Sequence, residues 1–237
     1  MIGFAAFVLG GLVKGSLGVG LPLVVVPLLS LVVPIPVAIC LVAVPVLASN
    51  TWQAVESHAP LAQMRRFSPL LITLFLATAI TVPMTLALSA RALNIMLAIA
   101  VFTAVALMAL NPQLNVSARH EKWCSAAIGT VSGIMGGISS LTGPIIITYL
   151  MALRLPRETF VGTISMIYLT ASIPLYLAMA VVGRFGLVEL MFSLLAMGPV
   201  FLGMSLGKKI RTRLSETLFR RVLLVFLSVI AVVLLFK

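Results

Sequence analysis

The stretch Gly10-Gly11-Leu-Val-Lys14-Gly15-Ser16-Leu-Gly18-Val-Gly20-Leu-Pro22 lies inside an apolar run that reaches from residue 2 to Val33. As one helix, a run of about 32 residues would be about 48 Å long. The hydrocarbon core of a bilayer is about 30 Å thick, and two full crossings would need about 40 residues. The run is therefore either one long tilted span or two part-helices around a break. Gly and Pro beside small polar residues suit an interrupted helix at membrane depth, where unwound backbone lines a cavity. A second long run, residues 123–153, carries a matching interruption: Gly136-Gly137-Ile-Ser139-Ser140-Leu-Thr142-Gly143-Pro144.

Composition places both runs in a membrane. Of 237 residues, 62% are hydrophobic and 9% charged. Mean hydropathy is +1.24. A soluble domain is nearer half apolar and a quarter charged, so a chain of this kind could not cover a water-facing surface. A soluble globular protein, a disordered chain and a disulfide scaffold are excluded. Eight apolar stretches separate at Pro, Arg and Lys: 2–33, 36–57, 68–89, 92–110, 123–153, 157–183, 186–207 and 217–236. Strands of a membrane barrel would alternate polar and apolar residues; these stretches do not, and they read as helices. The opening run lacks the basic region of a secretory signal and is too long for its apolar part, so it is expected to remain as a membrane segment.

The two halves resemble each other. Gly11, Gly15 and Gly18 recur as Gly129, Gly133 and Gly136, each 118 residues on. Pro34 recurs as Pro156 at 122, and Leu88-Ser89 as Leu214-Ser215 at 126. Matches in chain order point to two four-segment repeats, residues 1–118 and 119–237.

Charge orients them. The chain holds 16 Lys+Arg and 5 Asp+Glu, all five of them Glu. If every stretch crosses once, the loop cations split nine to six; if stretches one and five return to the side they entered, or cross twice, the split is twelve to three. Arg91, Arg184 and Lys237 are then the three, and Lys14 stays within the membrane. The positive-inside rule favours the lopsided split. It gives each half an odd number of crossings, so the repeats are expected to be inverted, with both termini outside. The same rule accounts for the basic excess better than nucleic-acid binding, because no basic stretch is interleaved with stacking aromatics.

Lys14 is the sharpest candidate. A cation inside a membrane segment marks a functional site by default. Thirteen residues precede it, about 20 Å of helix, so it lies deep; snorkelling from an interface is the competing explanation. N–H groups freed at a break, and the helix N-terminus after it, favour an anion. Gly15, Ser16, Gly18, Gly20, Gly136 and Gly137 would line the path with backbone. Ser139, Ser140 and Thr142 add hydroxyls. Gly11/Gly15 and Gly129/Gly133 also fit close helix packing by small residues, and a lone Ser often bonds its own helix. In stretch two, Asn50 and Gln53 offer amides; Ser172 meets Asn50 at the 122-residue spacing. Thr51 and Trp52 read as interhelical and interfacial groups.

The acids are peripheral: Glu56, Glu121, Glu158, Glu189 and Glu216 lie at or near stretch ends. Glu56 and His58 are the nearest candidates for proton coupling, with solvated loop residues as the alternative. His58 and His120, or Cys40 and Cys124, are spaced for neither a metal site nor a disulfide framework. No metal or other cofactor is expected.

The whole pattern resembles the TauE/SafE family of membrane permeases, the sulfite-exporter-like group. The resemblance rests on two four-segment halves and on the openings Gly10 to Gly20, with Pro27 beyond, and Gly129 to Pro144. It implies a multispanning plasma-membrane transporter, usually bacterial, for sulfite or small organosulfonates. It also implies that both glycine-rich openings lie near the substrate path.

The resulting expectation is an all-α multispanning membrane protein with glycine-broken first segments. It would be a secondary transporter of a small sulfur oxyanion, alternating access between its halves. An inside-negative potential opposes anion entry by about 2.3 kcal/mol per charge per 100 mV, so export would run downhill without a coupling ion. The partners are the anion and the lipid bilayer, with a homodimer left open and nucleic acid excluded. The alternatives are a membrane enzyme acting on a lipid phosphate, which would need acid–base groups that neither opening contains, and an importer of another sulfur compound or of a metal ion.

Overall fold

The computed structural model describes residues 2–57, 61–110, 117, 119–211 and 216–237. Among them the regular structure is helical. In chain order the helices are α1 (Ile2–Leu17), α2 (Leu21–Leu29), α3 (Ile35–Leu41), α4 (Ala43–Glu56), α5 (Leu61–Arg66), α6 (Ser68–Met84) and α7 (Ala90–Leu110). There follow α8 (Glu121–Ser139), α9 (Gly143–Ala152), α10 (Arg157–Val181), α11 (Leu187–Leu195), α12 (Met197–Arg211) and α13 (Glu216–Leu235). His58, Arg213 and the Leu214-Ser215 pair of the repeat match lie outside the described residues.

Both long runs break where the glycines stand. Gly18 and Gly20 have φ of 82° and 99°, backbone that glycine adopts freely. Ser140, at φ 61°, holds the corresponding turn without that freedom. Each run then folds back on itself. In the first, a methyl placed on Gly3 would touch Leu29, and one on Gly20 would touch Val13. In the second, Ser125 near the start of α8 shares a 2.6 Å hydrogen bond with Tyr149 in α9. At 16 residues, α1 is about 24 Å long, short of a full crossing. Each run is a hairpin of part-helices that begins and ends at one end of the molecule. The helix ends also set the correspondence of the two hairpins. Gly18 N–H donates to Lys14 O and Ser140 N–H to Gly136 O; Pro22 and Pro144 each open the second arm. These pairs stand 122 residues apart, so Lys14 answers to Gly136, and the 118-residue glycine match is off by one helical turn.

The remaining helices close around the hairpins. Among the described residues, four stretches are long and apolar enough to cross a membrane: Ser68–Ala87, Ala90–Leu110, Thr159–Val181 and Leu187–Ile210. Ile35–Leu41 with Ala43–Glu56, bent by 40°, makes a fifth. Pro45 lacks the N–H that would continue the ladder across this bend, and the Val44 N–H beside it donates instead to Ser193 Oγ at 2.9 Å. The eighth apolar stretch forms α13, 20 residues long. The eight stretches expected from sequence are thus unequal: two are folded-back hairpins and the others are not.

Small residues decide the closest pairs. α1 lies parallel to α12, with Gly11 and Gly15 against the backbone of Val200 and Met204, and Gly203 and Gly207 against that of Val8 and Leu12. α8 lies parallel to α6, with Gly129 and Gly133 against Leu70 and Leu74, and Gly137 against Thr81. Without side chains between them, backbones approach closely and dispersion replaces the missing hydrophobic drive in lipid. α4 packs on α10, and α7 on α13. The outside is apolar: on α6, Ile72, Leu76 and Ile80 are more than half exposed at one-turn intervals. Such a surface belongs in lipid, and the chain is an integral membrane protein.

Candidate functional site

The two hairpin breaks face one cavity. It measures about 60 Å³ as the space open to the centres of water-sized spheres, several times what one water needs. α1 contributes Lys14, the first break Gly20, α4 Asn50, α8 Gly136, and the second break Ser140 and Thr142. α10 contributes Tyr168 and Ser172. Most of the remaining wall is aliphatic, including Val13, Leu23, Val46, Leu141 and Leu175.

Lys14 is 2% exposed. Its Nζ donates to Asn50 Oδ1 at 2.7 Å, and Asn50 is equally buried. Snorkelling is therefore not what this side chain does: the ammonium points into the protein. Its partner is a neutral amide, and among the described residues no carboxylate lines the cavity. A buried cation is held in place by hydrogen bonds or counter-charge. Here the described residues supply the amide and no counter-charge, so Lys14 is the one basic side chain among the described lining residues.

Seven of the residues singled out in the sequence line the cavity: Lys14, Gly20, Asn50, Gly136, Ser140, Thr142 and Ser172. Six do not. Gly15 packs on Met204 and Gly137 on Thr81, where the need for close helix contact accounts for them. Ser16 Oγ donates to Leu12 O, and Ser139 Oγ to Met135 O, each bonding its own helix. Gly18 shapes the turn, and Gln53 Nε2 donates to its carbonyl oxygen at 3.0 Å. Gln53 thereby ties the first break to α4, while Ser165 donates to Gln53 Oε1. These groups support the wall from behind. Ser172 Oγ donates to Tyr168 O.

Two polar cavity residues escaped the sequence reading: Thr78 and Tyr168. Tyr168 lies one turn before Ser172 on α10 and stands 122 residues after Val46, so the spacing that linked Asn50 to Ser172 could have found it. Thr78 reaches the site only because α6 packs on α8, where its hydroxyl donates to Gly133 O. Glu56 lies away from the cavity at the exposed end of α4, accepting from Trp52 Nε1 at 3.1 Å. Among the described residues no cluster of His, Cys, Asp and Glu could hold a metal.

An all-helical membrane chain whose two broken hairpins meet at a buried cavity holding a lysine has the build of a membrane transport protein. The family model described as Sulfite exporter TauE/SafE matches residues 3–234, and the chain belongs to that family. No curated protein and no solved structure matches the chain.

Proposed function

We propose that this protein exports a small sulfur-containing oxyanion, sulfite or an organosulfonate, through the cavity between its hairpin breaks. The observation that carries the reading is Lys14: a fully buried lysine facing a cavity, held by an amide and opposed by no carboxylate among the described residues. An anion entering there completes the missing charge pair. The family description agrees with that charge logic.

Access would alternate between two inverted repeats, residues 1–118 and 119–237. Three features support this. The hairpins correspond at 122 residues; α1 on α12 is matched by α8 on α6, each hairpin packing on a helix of its own pattern; and α4–α10 and α7–α13 pair counterpart with counterpart. Loop contacts fit as well. Arg66 pairs with Glu121 at one end. Lys237 Nζ donates to Ser30 O, and Cys40 Sγ to Arg184 O, at the other. The first end is rich in basic residues and would be cytoplasmic. A reporter fused after Lys237 that reads out in the cytoplasm would contradict this orientation.

The test of function is efflux from proteoliposomes loaded with sulfite or methanesulfonate under an inside-negative potential. Wild type empties faster than protein-free vesicles, and Lys14→Met falls to their rate. Efflux by the Lys14→Met variant at the wild-type rate would remove Lys14, and this reading, from the mechanism.

A further inference from the structure

Lys14 supplies charge to the cavity, but one polar group in the wall has nothing to do. Tyr168 is 9% exposed, and its hydroxyl is buried with no hydrogen-bond partner among the described residues. A buried phenol normally finds one. The ring needs no special account, since it packs in the apolar cluster with Ile146, Ile164 and Ile167; the hydroxyl does.

Its position is informative. Tyr168 Oη lies against the first residue of α9: a methyl on Gly143 would come within 2.6 Å of it. Both residues line the cavity. α9 starts there without a side-chain cap, because Thr142 makes no capping bond. Pro144 has no N–H, so the free donors of the first turn are Gly143 and Ile145. An uncapped helix start and an idle O–H donor converge on one corner of the cavity. The phenol oxygen accepts from neither N–H, which leaves its O–H and those N–H groups free to share one acceptor, and the positive end of the α9 dipole adds a preference for negative charge.

We propose, on the footing of the export reading above, that Tyr168 Oη and the free N–H groups opening α9 form a second, uncharged anion-binding pole of the cavity. It takes an oxygen of the oxyanion whose charge Lys14 neutralises. Tyr168 is then the residue that positions the anion and sets its specificity. Because this pole adds donors but no cation, and Lys14 is the one basic side chain among the described lining residues, the ligand class is a monoanion. Alkanesulfonates and hydrogensulfite qualify; a dianion such as sulfate would leave one charge uncompensated among aliphatic walls.

Titration calorimetry of the purified full chain with methanesulfonate tests the pole. Tyr168→Phe keeps the ring and its packing and deletes only the idle hydroxyl. It should weaken binding about tenfold or more, the effect of losing a hydrogen bond to a charged group. The melting temperature of the ligand-free protein should be unchanged or raised, because an unpaired buried hydroxyl has been removed. Gly143→Ala, which pushes the phenol off its position, should weaken binding in the same direction. Wild-type affinity in Tyr168→Phe overturns the second pole; if Lys14→Met meanwhile abolishes binding, the export reading survives that result. Absence of binding to wild type of both methanesulfonate and sulfite overturns both.

Discussion

The two hairpins share a backbone plan and differ in chemistry. Each has a first arm packed through glycine on a parallel helix, a left-handed turn, and a second arm opened by proline. The residues that face the cavity from corresponding places are unlike. Where the first hairpin has Lys14, the second has Gly136; where α4 presents Asn50 and Val46, α10 presents Ser172 and Tyr168. Shared residues make the shape, because turns and close contacts tolerate few side chains. The departures make the site, because a cavity with a cation on both sides would bind differently from one with a cation on one side and neutral donors on the other.

The largest effect should come from breaking what the hairpins share. Gly15→Leu drives a side chain into the Met204 backbone, and Gly133→Leu does the same at Leu74. Overpacking of this kind destabilises by about 3 kcal/mol, and both variants should lose the monodisperse peak in size-exclusion chromatography. If one tolerates leucine, the hairpins are not equivalent in packing. Next comes Asn50→Asp, which would set a carboxylate against Lys14 and fill the missing counter-charge. Methanesulfonate affinity should drop about a hundredfold, on the scale of a unit charge at close range in a protein, while melting temperature holds or rises. A variant that binds as wild type would separate the anion from the Lys14–Asn50 pair.

A third measurement sharpens the asymmetry. If only one side carries charge, methanesulfonate should bind about tenfold more tightly than sulfate at neutral pH, since one uncompensated charge in a partly apolar cavity disfavours the dianion. Equal affinities would point to a second cation. The smallest effect belongs to the exposed start of α8, away from the cavity. There the hydrogen bond and charge of Arg66 hold the Glu121 carboxyl below the ordinary carboxylate range. A depressed pKa contributes stability that is complete above the unfolded value and is lost as pH falls through the folded one. The pair is part-exposed, so Glu121→Gln should cost at most about 1 kcal/mol. It should also flatten the acid side of a melting-temperature profile measured against pH.

Much of this was legible in the residues. A run too long for one crossing, interrupted by Gly and Pro, allows few conformations in lipid, because every exposed backbone group there needs a partner. Lys14 could be singled out for the same reason. What misled the reading was register. Glycine serves both turns and helix contacts, so Gly11, Gly15 and Gly18 matched a turn too early; the left-handed residues Gly18 and Ser140 reveal the 122-residue correspondence, and only one of them is glycine. Likewise Gly15, Gly137, Ser16 and Ser139 look like site residues in sequence, and their neighbours place them behind the wall.

By itself the sequence determined that the chain lives in a membrane, where its helices break, and that a cation is stranded at depth. Those follow from solvation, which acts on each residue according to its own chemistry. Only the tertiary structure decided which way each side chain faces: that Lys14 meets Asn50, that Thr78 enters from α6, and that the Tyr168 hydroxyl rests unpaired at the start of α9. Such pairings depend on how helices distant in sequence pack and rotate against one another, and a rotation of one residue, about 100°, turns a wall residue into a buttress.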